Sequence, residues 1–133
     1  VSTELRLVID LAPKTKKNSQ NIHRKMDGKP FVAPSRAFRD YQHFALPLLR
    51  RYGEPRIDYP INLQCIYYMG ARYRVDLVNL LEATCDVLVH AGILKDDNCN
   101  IVVSHDGSRV RYDKNHPRTE IIITKAREPS WRS

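Results

Sequence analysis

Residues 72–98, RYRVDLVNLLEATCDVLVHAGILKDDN, constrain the fold more than any other stretch of the chain. A 3.6-residue period started at Asp76 places Leu77, Leu80, Leu81, Thr84, Leu88 and Ala91 on one stripe. Asp76, Asn79, Glu82, Ala83 and Asp86 fall roughly opposite. A helix buried through its leucines therefore presents three carboxylates and an amide on its other side. Asp76 stands where an N-cap belongs, because a short side-chain oxygen there accepts a bond from a free backbone N–H. Gly92 ends the pattern, as glycine does after a last helical turn. Asp96 and Asp97 follow in a short connection. If that connection returns along the helix, acids from its two ends converge, and a hard divalent cation takes oxygen ligands of this kind. Taken singly, each acid also has a plain structural use as a cap, a turn residue or part of a solvated face.

The rest of the chain supplies a sheet and one more helix. Residues 4–11, ELRLVIDL, alternate polar and apolar side chains and predict a strand with Leu5, Leu7, Ile9 and Leu11 toward the core. Residues 12–34 read as a long loop punctuated by Pro13, Gly28, Pro30 and Pro34. It carries Lys14, Lys16 and Lys17 beside Asn18, and is either a solvated charged loop or a phosphate contact. Ser35 is placed to cap a helix over about 36–51, which Pro47 would kink or end early. Arg36 and Arg39 lie near its start. Residues 61–69, 100–104 and 119–124 predict three further strands. Residues 105–108 form a turn, or a bulge within a strand continuing through Val110 and Tyr112. The order β-α-β-α-β-β predicts one α/β (α+β) domain over residues 1–133, with helices packed on a mixed sheet. Val78, Cys85 and Val89 share a flank of the acidic helix and suit either the core or a dimer face.

Charge narrows the partner. The chain has 22 basic and 15 acidic residues, a net charge of +7, which favours an anionic partner, most simply nucleic acid. No apolar run approaches the roughly 18 residues of a membrane span, and no signal core is expected at the N-terminus. Three cysteines, Cys65, Cys85 and Cys99, include no C-x-x-C pair, so neither a zinc site nor a disulfide framework is indicated and a reducing, cytoplasmic setting is expected. The five histidines show no H-x-x-x-H spacing. Ser104-His105-Asp106 is not a relay, since neighbours on a strand point to opposite faces. No phosphate-binding glycine motif and no RNA-stacking aromatic platform occurs.

These residues together resemble the RusA-type Holliday junction resolvases of bacteria and their phages. The resemblance runs through Arg74-Val75-Asp76-Leu77-Val78-Asn79, then Ala91-Gly92, then Asp96-Asp97. Residues 13–19, PKTKKNS, are similar to that family's loop after the first strand, and residues 35–41, with Arg39-Asp40-Tyr41, to the start of its first helix. The match covers most of the chain and the order of its elements. It implies a RusA-like fold and a homodimeric endonuclease, dependent on Mg²⁺ or Mn²⁺, that cuts opposed strands of a four-way DNA junction in recombination and repair. The family's active site has an Asp, a second Asp two positions later, a helix Lys, and an Asp beyond the helix. The first carries over to Asp76 and the last to Asp97, with Asp96 beside it. The second is replaced by Val78, and the helix Lys falls at Glu82.

Asp76, Glu82 and Asp97 are therefore the expected catalytic residues, and Asp76, Glu82, Asp96 and Asp97 the expected metal ligands, with Glu82 standing in for the missing aspartate. Lys14, Lys16, Lys17, Asn18, Arg36, Arg39 and Arg74 are the expected DNA contacts. Closely set carboxylates repel unless a cation offsets them, which is the physical reason to expect a metal here. A different class of function also fits: a protein that binds junctions or branches without cutting them, motivated by Val78 and Glu82.

Overall fold

The computed structural model describes residues 4–16, 21–24, 30–33, 35–72 and 74–127, with only the backbone of 21–24 and 30–33. The chain runs β1 (Glu4–Ile9), β2 (Asn21–Arg24), β3 (Pro30–Ala33), α1 (Arg36–Arg50), β4 (Ile61–Met69), α2 (Leu77–His90), β5 (Val102–Ser104), β6 (Arg109–Tyr112) and β7 (Arg118–Lys125). The main sheet has the order β1-β7-β4-β5, with β6 also paired to β4. β7 runs antiparallel to both β1 and β4, whereas β5 and β6 run parallel to β4. The domain is thus α+β, with two helices on a mixed five-stranded sheet, as the element order predicts.

Alternation within the strands decides which face the helices cover. Ile61, Leu63, Cys65, Tyr67 and Met69 of β4 are buried, and the residues between them are half-buried. Leu7 and Ile9 of β1 and Thr119, Ile121 and Ile123 of β7 complete the buried face. Phe38, Tyr41, Ala45 and Leu49 of α1 and seven residues of α2 close over it as one apolar cluster. Tyr67 and Thr84 bridge the sheet to α2 through a 2.7 Å hydroxyl contact. Leu5 and Leu11, expected with the core, pack against it only partly buried.

Three sequence expectations change. The loop over 12–34 contains an antiparallel hairpin, β2 with β3. A two-stranded hairpin this short lacks the long alternating run by which strands are recognised. Pro47 neither ends α1 nor shortens it, since the helix runs to Arg50. Ser35 caps that helix as expected, its Oγ accepting from the Phe38 N–H at 3.1 Å. Ala83 of α2, assigned to the polar side, is buried, as are Cys85 and Val87. The buried arc of α2 is therefore wider than a single stripe, because the sheet, α1 and the segment after Gly92 all press on it.

Residues 105–108 form a turn between β5 and β6, closed by the Ser108 N–H donating to the His105 carbonyl at 3.1 Å. Asn62 receives the Asp106 N–H at 2.8 Å and donates to the Asp106 carbonyl at 3.1 Å. Ser108 Oγ accepts from the Cys65 N–H at 3.0 Å. Gly107 has φ +86°, and a Cβ there would meet the Gln64 side chain at 2.8 Å. The left-handed backbone is what favours glycine here, since the end of the Gln64 side chain could swing away. All three cysteines are free, and burial pushes the Cys65 and Cys85 thiols up to about 12.

Candidate active site

β4 carries the chain to the site. After Met69 it leaves the sheet and enters α2 at Leu77, so Asp76 stands at the exposed beginning of the helix. Its backbone is extended (φ −91°, ψ 124°), and its carbonyl accepts from the Leu80 N–H at 3.2 Å. Its carboxylate makes no capping bond, contrary to the N-cap expectation. It accepts instead from Asn79 Nδ2 at a long 3.4 Å. The positive end of the α2 dipole favours an anion at this place whether or not a cap bond forms.

One turn on, the surface of α2 carries Val78, Asn79 and Glu82. Val78 is 73% exposed, so of the three flank residues only Cys85 is truly buried and Val89 packs partly against the core. Glu82 is exposed, one turn beyond Val78. Asp86 is half-buried and differently occupied. Lys16 Nζ lies 3.8 Å from its Oδ1, and His90 Nδ1 lies 3.7 Å from its Oδ2. His90 also contacts Gln42 of α1 at 2.8 Å. Asp86 therefore draws the segment after β1 onto α2, placing Lys16 over the acidic helix. Sequence reading missed this clip, because nothing local links positions 70 residues apart.

The connection after α2 is built by its own side chains. Gly92, at φ +76°, turns the chain, and residues 92–95 then run beside residues 56–57. Asp96 accepts from the Asp97 N–H at 2.7 Å and from Asn98 Nδ2 at 3.1 Å. The Asp97 N–H, then the Asn98 amide and the adjoining Asp97 side chain, hold the Asp96 carboxyl below its ordinary range. Asp96 thus shapes the loop, while Asp97 lies near the helix: after burial, Asp97 and then Asp86 are what push the Cys85 thiol up to about 12.

The donor chemistry suits a hard divalent cation, with oxygen ligands only and two carboxylates side by side at Asp96 and Asp97. Among the described residues, however, no group of three or more Asp, Glu, His or Cys side chains is close enough to hold a metal.

The expected DNA contacts divide likewise. Lys14, Arg36, Arg39 and Arg74 are exposed. Arg36 lies 4.0 Å from Asp40 within α1, and Lys16 is engaged with Asp86. Lys17 and Asn18 lie outside the described residues. Sequence reading also passed over Arg72, Arg109 and Arg111, which are exposed near the end of β4. The signal was present, since residues 69–75 and 107–112 hold four arginines and no acid.

A two-layer α+β domain that exposes carboxylates at the start of its second helix, beside unpaired cations, has the parts of a protein acting on a polyanion. Comparison with family models makes this specific. The model for endodeoxyribonuclease RusA matches residues 4–124, and the chain belongs to that family. Membership implies endonuclease action on Holliday junctions. Comparison with curated proteins finds no match.

Proposed function

We propose that the chain is a divalent-metal-dependent endonuclease that resolves Holliday junctions or related branched DNA in recombination and repair. Mg²⁺ or Mn²⁺ is the proposed cofactor, a homodimer the working form, and the cytoplasm of a bacterial or phage-infected cell the setting. The observation that carries this reading is Asp76: an exposed carboxylate at a helix start, spared from capping, in a chain of this family. The proposed ligands are Asp76, Glu82, Asp96 and Asp97, which would have to close up around the ion, since no three acids among the described residues lie within holding distance of one another. A bound divalent ion supplies Lewis acidity to the phosphate and lowers the pKa of bound water. The chain's own contribution is to place the DNA. Arg74, two residues before Asp76, would meet the scissile strand, and the exposed Lys14, Arg36 and Arg39 its flanks. Lys16, held by Asp86, brings a positive charge to the helix that carries Glu82. Lys17 and Asn18 extend that basic segment in sequence. Two related active sites suit two symmetric cuts, which is the reason for a two-fold dimer.

The test is cleavage of a synthetic four-way junction with each metal. Asp76→Asn removes one charge while keeping size, so it abolishes cutting, leaves the fold intact, and preserves or tightens DNA binding by easing repulsion of phosphate. Glu82→Gln behaves the same way if Glu82 has taken over for the absent aspartate. If Asp76→Asn is dead while Glu82→Gln cuts at the wild-type rate, the role given to Glu82 is lost. A junction-binding protein without nuclease activity is the second reading, motivated by Val78 and Glu82 at the positions where the family pattern has Asp and Lys. Wild-type protein that binds junctions but cuts with neither metal, from neutral to alkaline pH, would establish it in place of the first.

A further inference from the structure

β6 is an edge strand of unusual composition. All four of its residues, Arg109, Val110, Arg111 and Tyr112, are exposed, and its outer edge pairs with no described strand. Its parallel register sets Arg109 beside Ile66 and Arg111 beside Tyr68, on the sheet face away from the helices. Val110 and Tyr112 stand beside Tyr67 and Met69, on the helix side. At the end of β4, the Arg72 guanidinium lies 4.8 Å from the centroid of the Tyr112 ring. Arg72, Arg111 and Tyr112 share a shallow cavity of about 350 Å³ with Met69, Ala71 and Val110. Arg72, from the segment after β4, and Arg111, from β6, therefore reach one concavity, with Arg109 further along β6 outside it.

Among the described residues no acid neutralises them. Neither Arg72, Arg109 nor Arg111 forms an ion pair with a described residue, whereas Arg6, Arg36, Arg56 and Arg118 all do. The nearest following acid, Asp113, is taken by Arg118 at 2.9 Å. Arg111 makes no described side-chain hydrogen bond, and Arg109 only one, from Nε to the Gly107 carbonyl at 3.1 Å. Arginine left unpaired with its fork open is suited to phosphate. An edge strand can also carry charge simply to prevent pairing with another sheet. That purpose explains Arg109 and Arg111. It does not explain Arg72, which lies off the strand and converges on the same hollow.

Position selects the partner. Four peptide units separate Arg72 from Asp76, so their Cα atoms lie within about 14 Å. A turn of duplex spans about 34 Å. We infer that Arg72, Arg109 and Arg111, with Tyr112 propping Arg72, form a second phosphate-binding surface that grips the DNA arm leaving the cleavage site. This rests on the reading of the chain as a branched-DNA protein, but not on its cutting. The contacts are to the backbone and carry no base specificity.

The test uses the full chain and a labelled synthetic four-way junction, with affinity measured by fluorescence anisotropy in EDTA across a salt series. Arg109→Gln/Arg111→Gln should lower the slope of log K against log salt by about 0.9 per lost contact, so by about 1.8 for the pair. Arg72→Gln should lower it by about 0.9 more. Arg109→Lys/Arg111→Lys should keep the wild-type slope, and melting temperatures should not change in any of these variants. An unchanged slope overturns the surface and leaves the arginines as edge protection. So does a loss of affinity that follows a shift from dimer to monomer in sedimentation, which would make the edge a self-association face. Wild-type protein that binds no branched DNA overturns both this inference and the reading beneath it. Wild-type protein that binds with the full slope but does not cut removes only the nuclease reading.

Discussion

Val78 shows how a single position can be open to function and neutral for the fold. Its side chain is 73% exposed, next to the exposed Asp76, and contributes nothing to the core. An apolar residue left in water at the helix start has no packing reason to be there. Val78→Asp should therefore change stability by no more than about 0.5 kcal/mol, as surface substitutions usually do. It adds an oxygen ligand where the family resemblance expects one, and should raise affinity for Mg²⁺ or Mn²⁺ in titration calorimetry. A variant that folds normally but binds metal no better would mean that position 78 does not face the ion. The sequence displayed Val78 and Glu82 as departures from the family pattern. Only the exposure of Val78 shows that the departure costs the fold nothing. Asp76 illustrates the reverse case. Its place as N-cap was legible from the helix pattern, but whether the carboxylate would cap depended on side-chain geometry that no spacing encodes.

At the scale of elements, β7 and the turn before it are tied by one arginine. Arg118 donates to Asp113 at 2.9 Å and to Glu120 at 2.8 Å, and its guanidinium lies 3.8 Å from the centroid of the Tyr68 ring on β4. The Arg118 hydrogen bond is the main reason the Asp113 carboxyl falls below its ordinary 3.8, and Glu120 first, then Asp113, raise the guanidinium in turn. The sign follows directly. Asp113 binds a proton less readily in the folded chain than in the unfolded one. Its contribution is whole above pH 3.8 and is lost as pH falls through the depressed folded value. Arg118→Gln should lower the melting temperature at neutral pH, and the gap from wild type should narrow on acidification below that point. Thermal melts followed by circular dichroism measure this. A gap that stays constant into acid would mean that Arg118 acts through its stacking on Tyr68 alone. Sequence patterning found every long element here, because nine residues of β4 and fourteen of α2 repeat their period often enough to be read. It missed the β2–β3 hairpin and gave α2 too narrow a buried arc, since short strands and multiply packed helices carry little periodic signal.

For the whole molecule, the acids bear on assembly. One chain does not gather three metal-ligating side chains among its described residues, yet its family acts on a four-armed substrate with two-fold symmetry. The homodimer proposed above should appear as a single dimeric species in sedimentation at micromolar concentration. Monomer alone, with and without junction DNA, would remove it. The sequence by itself determined the class of the fold, the helix that carries Asp76, the return of the chain at Gly92, and the excess of positive charge. Each of these is written locally or in composition: a period, a glycine, a count of charges. Tertiary structure alone decided that Asp86 meets Lys16, that Asp96 bonds within its own loop, and that Arg72 meets Tyr112 of β6. The first and last of these pair side chains 70 and 40 positions apart. Asp96 acts locally, but its bonds form only in the turn that packing imposes. Which side chains meet is set by the register of β4 with its neighbours and by the packing of α2 on the sheet, and contact over such separations leaves no mark on the order of residues.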